Sequence, residues 1–436
     1  MNGSQWFGHP RGLSTLFFTE MWERFSYYGM RAFLILYMTA SMASGGLGFD
    51  DKHAATVYGN YVGAVWLTPI AGGLIADWLL GQYRSVLLGG TIIALGHFTL
   101  AFKTLSAFYA GLVLIVIGTG LLKPNVSTIV GSLYEDGDAR RDAGFSVFYM
   151  GINLGAFIGP IIAGGLAQKV NWHLGFAMAG FGMVLGLIQY VIGRRHLEPG
   201  LTRLAARPKP ATAVAATGGG FSAEEWKRIV VVFVLFVFAS IFWGAYEQAG
   251  STLNLFGDRN TNNSVFGLSY PSSWYVSVQA FFVIALSPVF AWIWVKLGPR
   301  QPSVPSKFGL ALLFAGIAFL LLVPAGAMAQ SAAGIKVSPL WLVAAYFIEE
   351  LGELCLSPVG LSAVTKLAPK RIVSLMMGVF FLSNSLGNKM AGWTAGFFSS
   401  MPLSQLFGVV AAVCLVAAVI MFVLVKPVKR LMGGVT

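Results

Sequence analysis

The sequence predicts an all-α membrane protein of twelve spanning helices in two halves of six, with both termini on the cytoplasmic side. Three observations predict it. Of 436 residues, 56% are hydrophobic and only 11% are charged, against roughly 25% charged in a soluble globular chain. The apolar residues gather into twelve stretches long enough to span, each needing about 20 residues. The basic residues gather between those stretches, mostly on one side.

The elements follow in order. Residues 1–13, MNGSQWFGHPRGL, hold one Arg and no apolar core, so no cleavable signal peptide is expected. The spans are 14–40, 53–79, 84–104, 106–132, 143–168, 172–193, 227–255, 270–297, 307–328, 338–366, 372–398 and 404–426. Between the sixth and seventh lies 194–226, with Arg194, Arg195, Arg203, Arg207 and Lys209 followed by ATAVAATGGG. That composition reads as a disordered or partly helical linker. The chain divides into an N-terminal bundle, 1–193, a cytoplasmic linker, 194–226, and a C-terminal bundle, 227–436. Two six-helix halves joined by a basic linker suit a rocking transporter.

Orientation comes from the basic residues. Twenty of the 29 Lys and Arg fall between spans on the side that carries the N-terminus, among them Lys307, Lys370 and Arg371. Five fall on the other side: Lys52, Lys103, Lys169, Arg259 and Lys336. This positive-inside bias puts both termini in the cytoplasm. It also accounts for the net charge of +12 without a nucleic-acid partner. Cys355 and Cys414 lie in apolar runs and read as packing residues, neither disulfide nor metal ligands.

The charges inside spans are the functional candidates. They are Arg24, Arg31, Lys123 and Lys389, with Glu20, Glu23, Glu247, Glu349, Glu350 and Glu353. A charge at the bilayer centre costs at least about 2.5–3.5 kcal/mol, so each must face the bundle interior and find a partner. The first helix is densest. Positions 20, 24, 28 and 31 share a face, with Glu23 and Tyr27 beside them. Two carboxylates within a turn of one Arg form a coupled titrating cluster, in which protonating either Glu changes the partner of Arg24.

EMWERFSYYG, residues 20–29, resembles the first-helix signature ExxERFxYYG of the proton-dependent oligopeptide transporters, a branch of the major facilitator superfamily. Other segments match in order. Gly72-Gly73-Leu-Ile-Ala-Asp77-Trp-Leu-Leu-Gly81 resembles the loop motif after the second helix, and Gly118-Thr-Gly-Leu-Leu-Lys123-Pro-Asn the fourth-helix motif. Phe148-Tyr149-Met-Gly-Ile-Asn153-Leu-Gly155 resembles the fifth, Tyr246-Glu247-Gln248 the seventh, and Gly352-Glu353-Leu-Cys-Leu-Ser357-Pro358 the tenth.

The resemblance implies the major facilitator fold and a proton-coupled importer of di- and tripeptides in the bacterial inner membrane. Its partners would be peptide, protons and lipid, acting as a monomer with neither cofactor nor metal. It implies that Arg31, helped by Lys123, binds the peptide carboxylate, for which a planar guanidinium is suited. Glu353 would hold the amino group, with Asn153 as an amide hydrogen-bonder. Glu20, Glu23, Arg24 and Lys123 would couple protons, with Glu247 titrating against Arg31. The gates would be Arg31 with Glu247 on the outside and Lys123 with Glu353 on the inside. Tyr27, Tyr28, Ser357 and Phe380 would line side-chain pockets.

Several positions admit structural readings as well. Asn153 and Gly155 also fit small-residue helix packing. Tyr27, Tyr28 and Phe380 also fit core aromatics, and Lys123 before Pro124 a side chain snorkelling to an interface. Asp77 with Arg84 reads as a cytoplasmic brace, and His53 as a loop residue. Glu349 and Glu350 lie outside the motif, and one of them is expected to face the cavity in protonated form. Lys389 sits near a helix end or pairs with a carboxylate.

The sequence also departs from the family pattern. The linker is too short and polar for the two extra helices usual in bacterial members. Trp66 stands for the usual second-helix Tyr. Ser277-Val278-Gln279-Ala280 replaces Ser-x-Asn-Pro, so Gln279 keeps the amide while the Pro kink is lost. Phe380 stands for a usual Trp, and Gly59 where animal members carry His.

Other classes fit less well. His9, His53, His97, His173 and His196 show no close spacing, and no nucleophile–base set or phosphate loop occurs, which argues against an enzyme. Neither a repeated pore element nor a ring of charge suggests a channel. Within the same fold, nitrate transport or drug efflux is the alternative, but efflux would not need both a carboxylate-binding Arg31 and an amine-binding Glu353.

Overall fold

Apolar stretches of this length can leave no backbone group unsatisfied in lipid, so they must form helices, and helices dominate the computed structural model. It describes residues 5–135, 137–138, 140–206, 221–331, 334–369 and 372–433. Among the described residues, eight helical segments are long and apolar enough to cross a membrane. They are Asp51–Leu80, Leu105–Ser132, Arg141–Lys169, Trp172–Ile192, Ala223–Arg259, Ser272–Arg300, Val304–Ala329 and Leu403–Leu431. Helices also fill the four other expected stretches: Gly12–Thr39, Gln82–Leu100, Leu340–Leu367 and Val373–Ala395. The first carries Glu20, Glu23, Arg24 and Arg31, and the third Glu349, Glu350, Glu353 and Lys366, which make them less apolar.

The chain separates into two units, Met1–Leu47 with Ala64–Ala216, and Gly48–Gly63 with Thr217–Thr436. In the first unit, α1 (Gly12–Thr39) packs on α6 (Arg141–Gly159) and α8 (Trp172–Ile192), while α4 (Gln82–Leu100) packs on α5 (Leu105–Ser132) and α8. The helices α2 (Asp51–Leu67), α3 (Pro69–Ile75), α7 (Gly165–Lys169) and α9 (Arg194–Ala205) complete the numbering to this point. Leu13, Leu16, Val86, Ile93, Leu122, Val126, Ile129 and Met183 form its core.

Helices α4 and α5 touch backbone to backbone at two places. A Cβ on Gly118 would lie 2.5 Å from the Gly89 carbonyl oxygen, and one on Gly111 would lie 2.8 Å from that of Gly96. Only small residues allow such an approach. The expected motifs meet in the same way: a side chain on Gly72 would overlap the Gly120 carbonyl, and Asn125 donates to Gly72 O at 3.4 Å.

The cytoplasm-facing end expected of this unit is tied down locally. Strands β1 (Gln5–Trp6) and β2 (His9–Pro10) form a hairpin whose turn residues Phe7 and Gly8 have φ of 49° and 78°, as a type I′ turn requires. His9 Nδ1 lies 3.0 Å from the Tyr134 hydroxyl, which burial pushes up to about 12. Arg203 of α9 donates to the Ser132 and Leu133 carbonyls at 3.0 Å each, satisfying the end of α5. Of the expected linker, α9 is therefore helical. Residues 207–220, with Arg207 and Lys209, lie outside the described residues, as do Lys370 and Arg371.

In the second unit, α10 (Ala223–Tyr246) begins with a capping box of Ser222 and Glu225. It crosses α15 (Val373–Ala395), where Gly387 meets Trp243. Helices α13 (Val304–Ala329) and α16 (Leu403–Leu431) pack along their length, with α14 (Leu340–Leu367) on α13 and on α12 (Tyr275–Leu297). Gly59 of α2 lies against Gly392 of α15, a Cβ there falling 2.9 Å from the Gly392 Cα. This contact belongs to the second unit, which includes 48–63. A second hairpin, β3 (Ser264–Val265) and β4 (Leu268–Ser269), follows α11 (Thr252–Arg259).

Four expectations are corrected here. The span 227–255 is not one helix: α10 stops at Tyr246, a 3₁₀ turn holds Glu247–Gly250, and α11 follows. His53 is not in a loop but in the first turn of α2, its N–H donating to Asp50 Oδ1 at 2.9 Å. Lys307 is not a loop charge. It lies in α13, 7% exposed, donating to Gln301 at 2.7 Å with its ammonium 4.2 Å from the Trp294 ring centroid. Asp77 accepts from the Gln82 amide at 2.7 Å rather than pairing with Arg84.

Candidate functional site

The expected proton cluster forms within the first unit. Helical spacing brings Glu20 and Arg24 together as i and i+4, and Glu23 turns back onto the same guanidinium. Arg24 Nε lies 3.2 Å from Glu20 Oε1 and also bonds Glu23 Oε2. All three are buried, at 3%, 0% and 3% exposure for Glu20, Glu23 and Arg24. The Arg24 guanidinium sits 5.3 Å from the Tyr27 ring centroid, a cation–π contact in which the ring replaces some lost hydration. Lys123 acts electrostatically on Glu20, and its ammonium stands 3.1 Å from the Trp66 ring centroid.

The Arg24 guanidinium contacts one oxygen of each carboxylate. Among the described residues Glu20 Oε2 and Glu23 Oε1 have no hydrogen-bond partner, so the cluster offers places for a proton. The substitution Trp66 gains a reason: its ring face covers the Lys123 charge, which a smaller ring would cover less. Gly155 packs α6 onto α1, meeting the Met21 carbonyl and Arg24 Cβ. Its neighbour Asn153 is 8% exposed and donates to Tyr149 O in its own helix at 3.0 Å. The packing reading thus holds for Gly155. Further along α1, Arg31 is 6% exposed, with its guanidinium 5.9 Å from the Tyr28 ring centroid.

The remaining candidates lie in the second unit. Glu247 sits in the 3₁₀ turn, 5% exposed, with Glu349 of α14 as a charge neighbour. Glu353 is 5% exposed, with Glu350 beside it. Ser357, one turn beyond Glu353, is half-buried. The Gln279 amide nitrogen is buried without a hydrogen-bond partner among the described residues. Phe380 packs on Gly360, where a Cβ would lie 2.7 Å from its ring. Lys389 bonds the Asn60 amide oxygen and not a carboxylate.

A second ion-pair cluster escaped the sequence reading. Arg259 donates from both terminal nitrogens to Asp51 at 2.7 Å each, Ser399 donates to the same carboxylate, and Arg259 lies 5.5 Å from the Phe398 ring centroid. Asp51 is 8% exposed. The signal available was a carboxylate opening α2 and an Arg closing α11, each of which also suits its helix dipole.

The family model described as PTR2: POT family matches residues 83–200 and 221–413. The peptide transporter YePEPT of Yersinia enterocolitica is 37% identical over 99% of this chain and 97% of that protein. The di-/tripeptide transporter of Lactococcus lactis subsp. cremoris is 36% identical over 98% of each. Among solved structures, a mutant of the peptide transporter POT in complex with alafosfalin superposes with a TM-score of 0.91 at 40% identity, covering 99% of this chain and 98% of that one. Matched across nearly its whole length, the chain belongs to the POT family.

Proposed function

We infer that this protein imports di- and tripeptides together with protons by alternating access, as a polytopic membrane transporter and not an enzyme. The observation that carries the proton part is the buried Glu20–Glu23–Arg24 cluster with Lys123 beside it. The peptide part is supported by family membership and by relatives named di-/tripeptide transporters. The twelve-span topology, with bundles at 1–193 and 227–436, a linker at 194–226 and both termini cytoplasmic, is part of the proposal. So are a bacterial inner-membrane location and a monomeric state.

The assigned roles are those of the sequence reading. Arg31 and Lys123 hold the peptide carboxylate, Glu353 its amine, and Asn153 and Gln279 supply amides. Tyr27, Tyr28, Trp66, Ser357 and Phe380 shape the side-chain pockets. Glu20, Glu23, Arg24, Lys123 and Glu247 couple the proton. The gate roles of Arg31 with Glu247, and of Lys123 with Glu353, rest on the sequence alone. The test is uptake of a labelled dipeptide into proteoliposomes. A membrane potential of 100 mV gives each proton about 2.3 kcal/mol, enough for about fifty-fold accumulation of a neutral peptide. Uptake that ignores an inward proton gradient overturns the reading, and a toxic dipeptide that the protein protects against would mark efflux instead.

A further inference from the structure

We propose that the β3–β4 hairpin of the second unit is a lipid anchor, its Phe266 tip seated at the headgroup boundary of the leaflet opposite Lys296. The sequence sets up an unusual tip. Val265-Phe266-Gly267-Leu268 closes in a two-residue turn with φ of 50° at Phe266 and 80° at Gly267. A turn of this type favours Asn before Gly, because both central residues need positive φ, and a bulky residue there is strained. The turn also leaves Phe266 100% exposed. In water this residue disfavours the fold twice, once through its backbone and once through its ring.

The rest of the hairpin is one-sided. Val265 pairs across the strands with Leu268, and Ser264 with Ser269. Successive strand residues face opposite ways, so the apolar pair shares one face and the two serines share the other. Val265 is 46% exposed and Leu268 77%. Apolar residues exposed singly are ordinary on any surface. Here three are contiguous on a strained turn, within a stretch that carries no charged residue between Arg259 and Lys296. The base of the hairpin is held firmly. Asn262 N donates to Val337 O at 2.8 Å, the Asn263 amide to Gly257 O at 2.8 Å, and the Tyr275 hydroxyl to Asn263 Oδ1 at 3.0 Å.

Helix α12 sets the depth. Near its end Lys296 holds its ammonium 4.5 Å from the Trp292 ring centroid, a pairing suited to a membrane–water interface. From Lys296 back to Trp274 the chain climbs about 33 Å at about 1.5 Å per residue, against a hydrocarbon core of about 30 Å. Trp274, Phe281, Trp292 and Val295 are exposed along that length, and at about 100° per residue they fall on one side of the helix. This is the side that lipid covers. Trp274 therefore stands at the opposite interface, where its ring stacks on Tyr270 with centroids 6.4 Å apart. Tyr270 N–H donates to Asn263 O at 3.0 Å and closes the hairpin. The hairpin thus continues the lipid-facing side of α12 at headgroup depth, and that continuity selects phospholipid over a second copy of the chain or a soluble protein. Lacking charge, the anchor calls for no anionic headgroup.

The anchor rests on α12 spanning the bilayer and not on what the protein carries, so its test does not involve peptide uptake. Full-length Phe266→Cys and Leu268→Cys are labelled with a nitroxide in liposomes of a neutral phospholipid. Cys355 and Cys414 are buried, and the wild type treated alike supplies the background. Power saturation compares collisions with oxygen, which concentrates in lipid, and with a water-soluble nickel chelate. Oxygen collisions should exceed nickel collisions several-fold at both positions. The order should reverse at Glu224→Cys, where the native side chain is 59% exposed at the start of α10. A nickel excess at either hairpin position puts the hairpin in water and overturns the anchor. Low collision with both reagents marks cover by protein and overturns it as well. Leu268→Cys decides the matter should Phe266→Cys not fold.

Discussion

Exchanging Glu23 for Gln and exchanging Arg24 for Ala should have opposite consequences, although both residues belong to one contact. At 3.2 Å and an effective dielectric constant of about 20, Arg24 and Glu20 attract by about 5 kcal/mol. Glu23→Gln leaves the Arg24–Glu20 pair intact, so the helix keeps its packing. What it removes is a carboxylate whose Oε1 has no hydrogen-bond partner among the described residues. Dipeptide binding should therefore stay within a few-fold of wild type, while gradient-driven accumulation falls to the level seen without a gradient. Arg24→Ala strands two buried carboxylates, and breaking a buried pair costs about 3–5 kcal/mol. That variant should melt far lower in detergent or fail to fold. The assays are dipeptide binding to purified protein, uptake into proteoliposomes with and without an inward proton gradient, and thermal melting. Full concentrative uptake by Glu23→Gln, or wild-type melting of Arg24→Ala, would refute the reasoning.

Three further outcomes are expected. Asp51→Asn should destabilise the protein by about 1.5–3 kcal/mol, the worth of hydrogen bonds to a charged group. The value should fall toward the low end because the Arg259 side chain is 35% exposed, and unchanged thermal melting would show the cluster to be idle. Gly118→Val should yield little monodisperse protein in size-exclusion chromatography, since its Cβ would lie 2.5 Å from the Gly89 carbonyl; normal yield would mean that α4 and α5 separate easily. Amidating the dipeptide C-terminus should weaken binding to the wild type by about 10-fold or more and to Arg31→Ala scarcely at all, since the charge partner is already gone. An equal penalty in both, measured by competition binding, removes Arg31 from the carboxylate.

The helices and the Glu20–Glu23–Arg24 cluster were legible in the sequence because both depend on short-range spacing, apolar run length in one case and i, i+4 geometry in the other. The break at Glu247–Gly250 was not, since hydropathy is blind to whether a carbonyl bonds three or four residues ahead. His53 and Lys307 were misplaced for a related reason. Helical hydrogen bonding continues past the apolar stretch, and a Lys stem can be buried while its ammonium finds Gln301 and Trp294. Asp51 and Arg259 are separated by 208 positions, and no local pattern pairs them. Glu349 and Glu350 could not be told apart because neighbours on a helix point about 100° apart, and packing alone decides what each faces.

The twofold backbone contact between α4 and α5 makes those two helices a built-in ruler. At Gly89 against Gly118 and Gly96 against Gly111 the two backbones meet directly, so the two rods should keep their separation whatever the rest of the protein does. Leu95 and Tyr109 lie near that joint with outward-facing side chains, 54% and 38% exposed. A pair of probes at these positions gives a distance that should stay constant through a transport cycle, against which any change measured elsewhere can be calibrated.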